Sequence, residues 1–297
     1  MKNMSILINV CGSNRSGTTM LDLMLGNASD AFSCGEVYAW FRPWRTHHFK
    51  IVCSCGQNPC PVWEKIKAVP ENKFHSTVFK HLKVNFVIDS SKEECWLLDT
   101  QQWASKHKIQ VFNLLLWKNP IDLAYSYWKR GKDIRQWRND FVRYYKNIFS
   151  TNLPFYSVYL NDLLSDPKTK LLKICSVVGM PYFEGKENFS QKQHHHLFGS
   201  LGTRRQALSN NLVIRTHEIY PTKFEKKIEL LSKQILLDVQ LQEILEVLIA
   251  SEISKSATSN IRSHTFEKPY LYPLWYYTKY GKRLFRYYFP QSWSHVQ

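Results

Sequence analysis

The feature that most constrains this chain is the string Gly12-Ser-Asn-Arg-Ser-Gly-Thr-Thr19, set between an apolar run and a helical pattern. Residues 5–11 (SILINVC) read as a strand. Residues 16–27 read as a helix whose Met20, Leu21, Met24 and Leu25 share one face, with Gly26-Asn27 as its C-cap. A glycine turn of this kind folds the backbone around an anion, because a helix N-terminus offers free N–H groups and a favourable dipole. Strands alternate with helices further along. Residues 31–35, 84–89 (VNFVID) and 110–117 (QVFNLLLW) are strands, a helix rich in aromatics follows Pro120, and residues 155–164 (FYSVYLNDLL) run from strand into helix. The 110–117 run is apolar nearly throughout, as a central parallel strand buried on both faces requires.

These elements predict an α/β fold: a P-loop-like parallel β-sheet flanked by helices on both faces, in a single domain with a helical and aromatic C-terminal extension. The 297 residues, 44% hydrophobic and 22% charged, are ample for a core and exclude a disordered chain. Residues 1–215 form the α/β domain, with a Cys-rich insertion at about 42–75. Residues 216–297 form the extension, packed on the same domain. It contains a helical stretch over 224–254, broken once, and a tail over 268–289 in which Tyr and Trp interleave with Lys and Arg. The tail suits a peripheral membrane contact and equally suits packing on the domain or a partner subunit. Residues 184–211 are polar and read as a long surface loop.

No apolar run approaches the roughly 18–20 residues needed to cross a bilayer. MKNMSILINV reads as a first strand and not as a signal peptide, so a cytoplasmic protein with reduced thiols is expected. The 40 Lys and Arg against 24 Asp and Glu give a net charge of +16, which calls for anionic partners. Nucleic acid, phospholipid and a phosphorylated small molecule all qualify, but no motif for reading DNA or RNA is visible, and no nucleic-acid partner is expected. Oligomeric state is left open.

The Gly12–Thr19 string is like a nucleotide-binding G-x4-G-K-[ST] loop, except that Thr18 stands where the lysine belongs. That departure weakens a kinase or ATPase reading, and Arg15 supplies a cation inside the loop instead. The string RSGTT opening a helix resembles the 5′-phosphosulfate loop of sulfotransferases, which use 3′-phosphoadenosine-5′-phosphosulfate (PAPS) as donor. Lys118-Asn-Pro-Ile-Asp-Leu-Ala-Tyr-Ser126-Tyr-Trp-Lys-Arg130 resembles their 3′-phosphate motif, with Lys118 where Arg is usual. VIDSSK at 87–92 resembles the strand-end lysine segment of the glycan- and tyrosylprotein-directed branches. VYLNDLLSDP at 158–167 and HHHLFGSLGTRR at 194–205 resemble two further family segments, so the likeness covers residues 5–215.

The resemblance implies roles for particular residues. Arg15 and the N–H groups of Ser16, Gly17, Thr18 and Thr19 would hold the 5′-phosphate and the bridging oxygen. Lys118, Ser126 and Arg130 would hold the 3′-phosphate, with Arg204 and Arg205 as further nucleotide contacts. Lys92 would stabilise the transferring sulfuryl group. Glu36, in a Cys-Gly-Glu segment, would be the general base, with Asp89 as the alternative base or a cap for the Ser-Ser-Lys turn. The implied reaction is sulfuryl transfer from PAPS to a hydroxyl acceptor: a saccharide or other glycan-like molecule first, a lipid-linked or small molecule otherwise. No metal is required, because cations supply the charge. The rival readings are a P-loop small-molecule or nucleotide kinase and a basic nucleic-acid or membrane-surface binding protein.

Cys53, Cys55 and Cys60 are compact enough to raise the question of zinc. Three thiolates need a fourth ligand, which Cys34, His47 or His48 could supply, but no second C-x-C knuckle is present. His194–His196 cannot all point at one ion and read as loop. The sequence therefore assigns no metal.

Overall fold

The structure, a computed structural model, describes residues 5–253 except 44, 51, 68, 210–213 and 215–217. The aromatic and basic tail therefore lies outside the described residues. Five strands form one all-parallel sheet: β1 (Ile6–Gly12), β2 (Ala31–Gly35), β3 (Phe86–Asp89), β4 (Gln110–Trp117) and β5 (Tyr156–Tyr159), in the order β2-β3-β1-β4-β5. Strand β1 is central because nearly every residue of it is apolar and buried on both faces. It runs in register with β3 from Ile6 opposite Phe86 and with β4 from Ile6 opposite Gln110.

The side-chain period of two sorts β1 and β4 onto two faces. Ile6, Ile8, Val10, Leu114 and Leu116 pack with α1 (Thr18–Leu25) on one side. Leu7, Cys11, Leu115 and Trp117 point to the other. That second layer begins with α2 (Tyr38–Phe41), α3 (Pro61–Ile66), α4 (Phe74–Leu82) and α5 (Glu94–His107), which bury Tyr38, Trp63, Phe74 and Trp96. It continues with α6 (Pro120–Trp128) and α7 (Gln136–Phe149). The first layer is completed by α8 (Leu160–Ser165), α9 (Pro167–Val178) and α10 (Leu201–Leu208), through residues such as Leu163, Ile174 and Ala207.

Two helices, α11 (Thr222–Leu237) and α12 (Val239–Ala250), bury Phe224, Leu231, Leu241 and Leu248 in the same cluster as α6 and α7. The break between them falls at Asp238, whose carboxylate accepts from the Leu241 amide as an N-cap. No helix among the described residues is long and apolar enough to cross a membrane.

Residues 184–211 are not the surface loop that their polarity suggests. His194, His196, Leu197 and Phe198 are buried, and α10 follows directly. Two of the histidines find partners inside the protein: His194 Nε2 reaches the Phe189 carbonyl at 2.8 Å, and His196 Nδ1 is bonded to Ser33 Oγ at 2.7 Å. The Leu197 backbone bridges both Gly35 and Cys53.

Candidate active site

In an open parallel sheet a ligand crevice opens at the C-terminal strand ends where the chain reverses its direction of travel. Here α1 leaves β1 on one face and α6 leaves the adjacent β4 on the other. The gap between them leads into a cavity of about 1180 Å³. That is room for a nucleotide and a second molecule, since ligand pockets usually measure about 300–1,000 Å³.

The turn after β1 forms one wall. Gly12 donates its N–H to Tyr144 Oη at 2.9 Å, and a Cβ there would meet the Leu116 carbonyl at 2.5 Å. Gly17 has φ 92°, and its missing side chain leaves space for Leu160, whose Cδ1 would lie 2.7 Å from a Cβ. Arg15 also takes a left-handed conformation, at φ 74°. Only residues that tolerate these angles close so tight a turn. No side chain caps α1, so its first N–H groups are left for an anion. The Ser16 hydroxyl is turned beneath the loop, 2.3 Å from where a Gly12 Cβ would lie, so glycine at 12 leaves it room.

The ends of β2 and β3 supply the middle of the cavity. Gly35 lies so close to Leu197 that a Cβ would be 2.1 Å from its carbonyl, and the Glu36 amide donates to that same oxygen at 2.9 Å. This contact fixes where the Glu36 side chain starts. Its carboxylate pairs with Lys92 Nζ at 2.5 Å, and Lys92 sits at φ 64°, a costly backbone conformation for a lysine. Arg42, close in sequence to Glu36, is buried against Glu71 instead. Asp89 is fully engaged elsewhere. One of its oxygens accepts from Trp96 Nε1 at 2.8 Å and lies 3.0 Å from His75 Nε2. The other accepts from the Ser91 amide at 2.9 Å. Asp89 thus caps the Ser-Ser-Lys turn that presents Lys92, and of the two candidate bases Glu36 lines the cavity.

Strand β4 and helix α6 form the far wall. Lys118 is buried at the strand end, with Nζ 3.3 Å from Ser126 Oγ. The seven intervening residues carry the chain through the Asn119 cap and two helical turns, which brings Ser126 back over Lys118. Arg130 Nη1 donates to the Ser126 carbonyl at 2.7 Å. Arg15, Gly17, Thr18, Thr19, Glu36, Lys92, Lys118, Ser126 and Arg130 all line the cavity. Ser16 lies beneath the loop, fully buried.

Arg204 and Arg205, read as nucleotide contacts, do not line it. Arg204 turns inward and donates to the Val52 carbonyl at 2.8 Å, while Arg205 stands exposed on α10. The loop that carries them still reaches the site, because the Ser200 amide donates to Thr19 Oγ1 at 3.0 Å.

One acidic residue in the site has no local sequence signal. Glu218 Oε1 lies 3.1 Å from Lys118 Nζ, and its carboxylate also pairs with Lys129 at 3.0 Å. Burial raises the Glu218 pKa, but Lys118 and Lys129 together outweigh that effect and leave it below the ordinary glutamate range. Arg15 shows the opposite strain: desolvation by the surrounding walls and repulsion from Arg130 lower its pKa, against the pull of Tyr127 and Glu36. Two guanidinium groups facing one cavity are an arrangement that an incoming anion relieves. Lys129, Lys132, Arg143, Arg45 and His47 line the same space and were not singled out by motif. Lys129 is next to Arg130 and falls inside the Lys118–Arg130 string, whereas nothing local points to Arg143 or Glu218.

No protein-family model matches the sequence, and no curated protein matches it. The fold is nevertheless shared with solved structures. A sulfotransferase domain from the curacin biosynthetic pathway superposes with a TM-score of 0.55 at 15% identity, covering 83% of this chain and 97% of that one. A sulfotransferase domain from the Synechococcus PCC 7002 olefin synthase gives 0.52 at 15% identity, covering 80% and 97%. The class defined is an α/β protein with a five-stranded parallel sheet, sharing its fold with these two sulfotransferase domains.

Proposed function

We propose that this protein is a sulfotransferase that moves the sulfuryl group of PAPS to a hydroxyl group. The observation that carries the reading is the meeting of two remote segments in one cavity. The uncapped Gly12–Thr19 turn with Arg15 faces the Lys118–Ser126–Arg130 group, and Glu36 with Lys92 stands on the same lining. A donor with phosphates at both ends needs cations at two separated positions, which ATP does not. The shared fold and the motif order support the same reading.

Arg15 and the N–H groups at the start of α1 would hold the 5′-phosphate end, while Lys118, Ser126 and Arg130 would hold the 3′-phosphate. PAPS supplies an activated sulfuryl group on a good leaving phosphate. The acceptor hydroxyl forms the new O–S bond as the bond to the bridging oxygen breaks, and that electron pair goes to the 5′-phosphate. Glu36 would take the acceptor's proton, and Lys92 would neutralise charge on the sulfuryl oxygens. The Glu36–Lys92 ion pair holds both groups ready at one place. Catalysis of this type rests on positioning and charge, as in phosphoryl transfer. A glycan-like acceptor is favoured by the IDSSK segment that presents Lys92.

The test is transfer of radiolabelled sulfur from PAPS into a panel of saccharide, lipid-linked and small hydroxylated acceptors. Label in a saccharide, absent in Glu36→Gln, is the expected result. Transfer of phosphate from labelled ATP with magnesium, and none from PAPS, would overturn the reading.

A further inference from the structure

Outside the cavity, three cysteines and a histidine converge on a single point. The Sγ atoms of Cys53, Cys55 and Cys60 and one ring nitrogen of His195 all lie within 4.8 Å of one another. His195 Nδ1 is 3.2 Å from Cys60 Sγ and 3.8 Å from Cys53 Sγ. A tetrahedral zinc ion with Zn–S near 2.3 Å and Zn–N near 2.0 Å sets its ligand atoms roughly 3.5–3.8 Å apart. We propose that Cys53, Cys55, Cys60 and His195 form a structural zinc site that staples the Cys-rich segment to the loop over the phosphate turn.

The ordinary alternative is three small buried hydrophobes, since free cysteine is among the most buried residues. That account explains why the residues are buried, but not why their sulfurs turn toward one another and toward an imidazole nitrogen. The surroundings are also those of a metal site. The Cys55 amide lies 3.5 Å from Cys53 Sγ and donates to it, an arrangement suited to a thiolate. Trp63 Nε1 donates to the His195 carbonyl at 2.6 Å, which fixes the backbone that carries the imidazole. Ser54, between two of the cysteines, donates to the His194 carbonyl at 2.8 Å and accepts from the His196 amide at 2.9 Å. The two segments, some 140 residues apart, are thus held in register before any metal binds.

The charge balances as well. Three thiolates around a divalent ion leave one negative charge, and burying it calls for a cation. Arg204 is buried, is bonded to the carbonyl of Val52 next to Cys53, and keeps a buried Nε without a hydrogen-bond partner among the described residues. All four ligand positions come from the protein, which is the closed arrangement of a structural zinc and not of a catalytic one. The fourth ligand is none of Cys34, His47 or His48. Cys34 is in β2, and His47 and His48 pack edge to face on each other with ring centroids 4.2 Å apart. His194 and His196 point elsewhere, so only the middle histidine of the three reaches the cysteines.

This inference stands apart from the sulfotransferase reading, because it is read as metal content. The full-length protein, purified without chelator, should carry one zinc per chain by elemental analysis. Cobalt exchanged into the site should show the sulfur-to-metal charge-transfer band and the intense visible bands of a tetrahedral centre. His195→Ala and Cys60→Ser should lose most of the zinc. If either variant fails to fold, the cobalt spectrum of the unaltered protein still reads the ligand set. Removing zinc with a strong chelator should lower the melting temperature, and adding it back should restore it. Protein that is folded and metal-free, takes up neither zinc nor cobalt, or has two of these cysteines joined in a disulfide would overturn the proposal.

Discussion

The two ends of the cavity are built in different ways. At the β1 end, residues 12–19 make the whole wall from contiguous backbone, and the turn is set by glycines whose Cβ atoms would collide with Leu116 and Leu160. At the β4 end the wall is made of side chains, Lys118, Ser126, Lys129 and Arg130, and a carboxylate from far along the chain pairs with Lys118 and Lys129. The first end offers N–H groups that carry no counter-ion, and an anion can enter directly. The second is closed on itself by Glu218, so an anion there must displace an ion pair. Affinity should therefore come mainly from the first end, and discrimination for a second phosphate from the other.

The largest effect is expected between the two ends. Glu36→Gln should lower turnover by roughly 10²–10⁴-fold, the usual worth of a general base, and leave the affinity for adenosine 3′,5′-bisphosphate unchanged. Equal losses in both would mean that Glu36 serves to position Lys92 and is not the base. Arg15→Ala removes a charge-assisted contact worth about 1.5–3 kcal/mol. It should weaken bisphosphate binding by about 10–150-fold in calorimetry.

Lys118→Met should cost less than Arg15→Ala and should be selective: binding of the 3′,5′-bisphosphate falls while adenosine 5′-phosphate binds as before. If both ligands weaken together, the two ends do not divide the donor in the way proposed. The smallest effect, of opposite sign, is expected from Glu218→Gln. Freeing Lys118 and Lys129 from a partly exposed pair worth roughly 0.2–1 kcal/mol should tighten bisphosphate binding by about 1.4–5-fold.

The same residue gives a pH test. Its carboxyl is held below the ordinary value, so in the ligand-free protein its ionised form stabilises the fold above the unfolded pKa. That contribution is lost as pH falls through the folded value. Denaturant midpoints of the parent and of Glu218→Gln should therefore differ near pH 6 and converge in acid.

The same contrast explains what the sequence shows and what it hides. Strand β1, the turn and α1 were legible because period and glycine placement are local, and β4 because an unbroken apolar run has few other uses. The Lys118–Ser126 pair was legible through its resemblance to a family motif, and the start of α6 turns that interval into a contact at 3.3 Å. Asp89 was ambiguous by sequence, and only the hydrogen bonds from Trp96 and Ser91 show it to be a cap.

Glu218 and His195 were not legible, since each meets partners 89 or more residues away and nothing near them marks the meeting. Polarity misled at 184–211, where the histidines find buried partners, and at Arg204, which faces the Val52 carbonyl and not the cavity. Local pattern reports what a segment can form, while counter-ions and ligand sets depend on which segments the sheet brings together.

The central claim is that this cavity takes a nucleotide phosphorylated at two positions. The most direct measurement is thermal denaturation of the purified protein with adenosine 3′,5′-bisphosphate, and separately with ATP and magnesium. The account predicts a concentration-dependent rise in melting temperature with the bisphosphate, larger than with ATP and magnesium, and reduced in Arg15→Ala and Lys118→Met. Stabilisation by ATP and magnesium with none from the bisphosphate would contradict it.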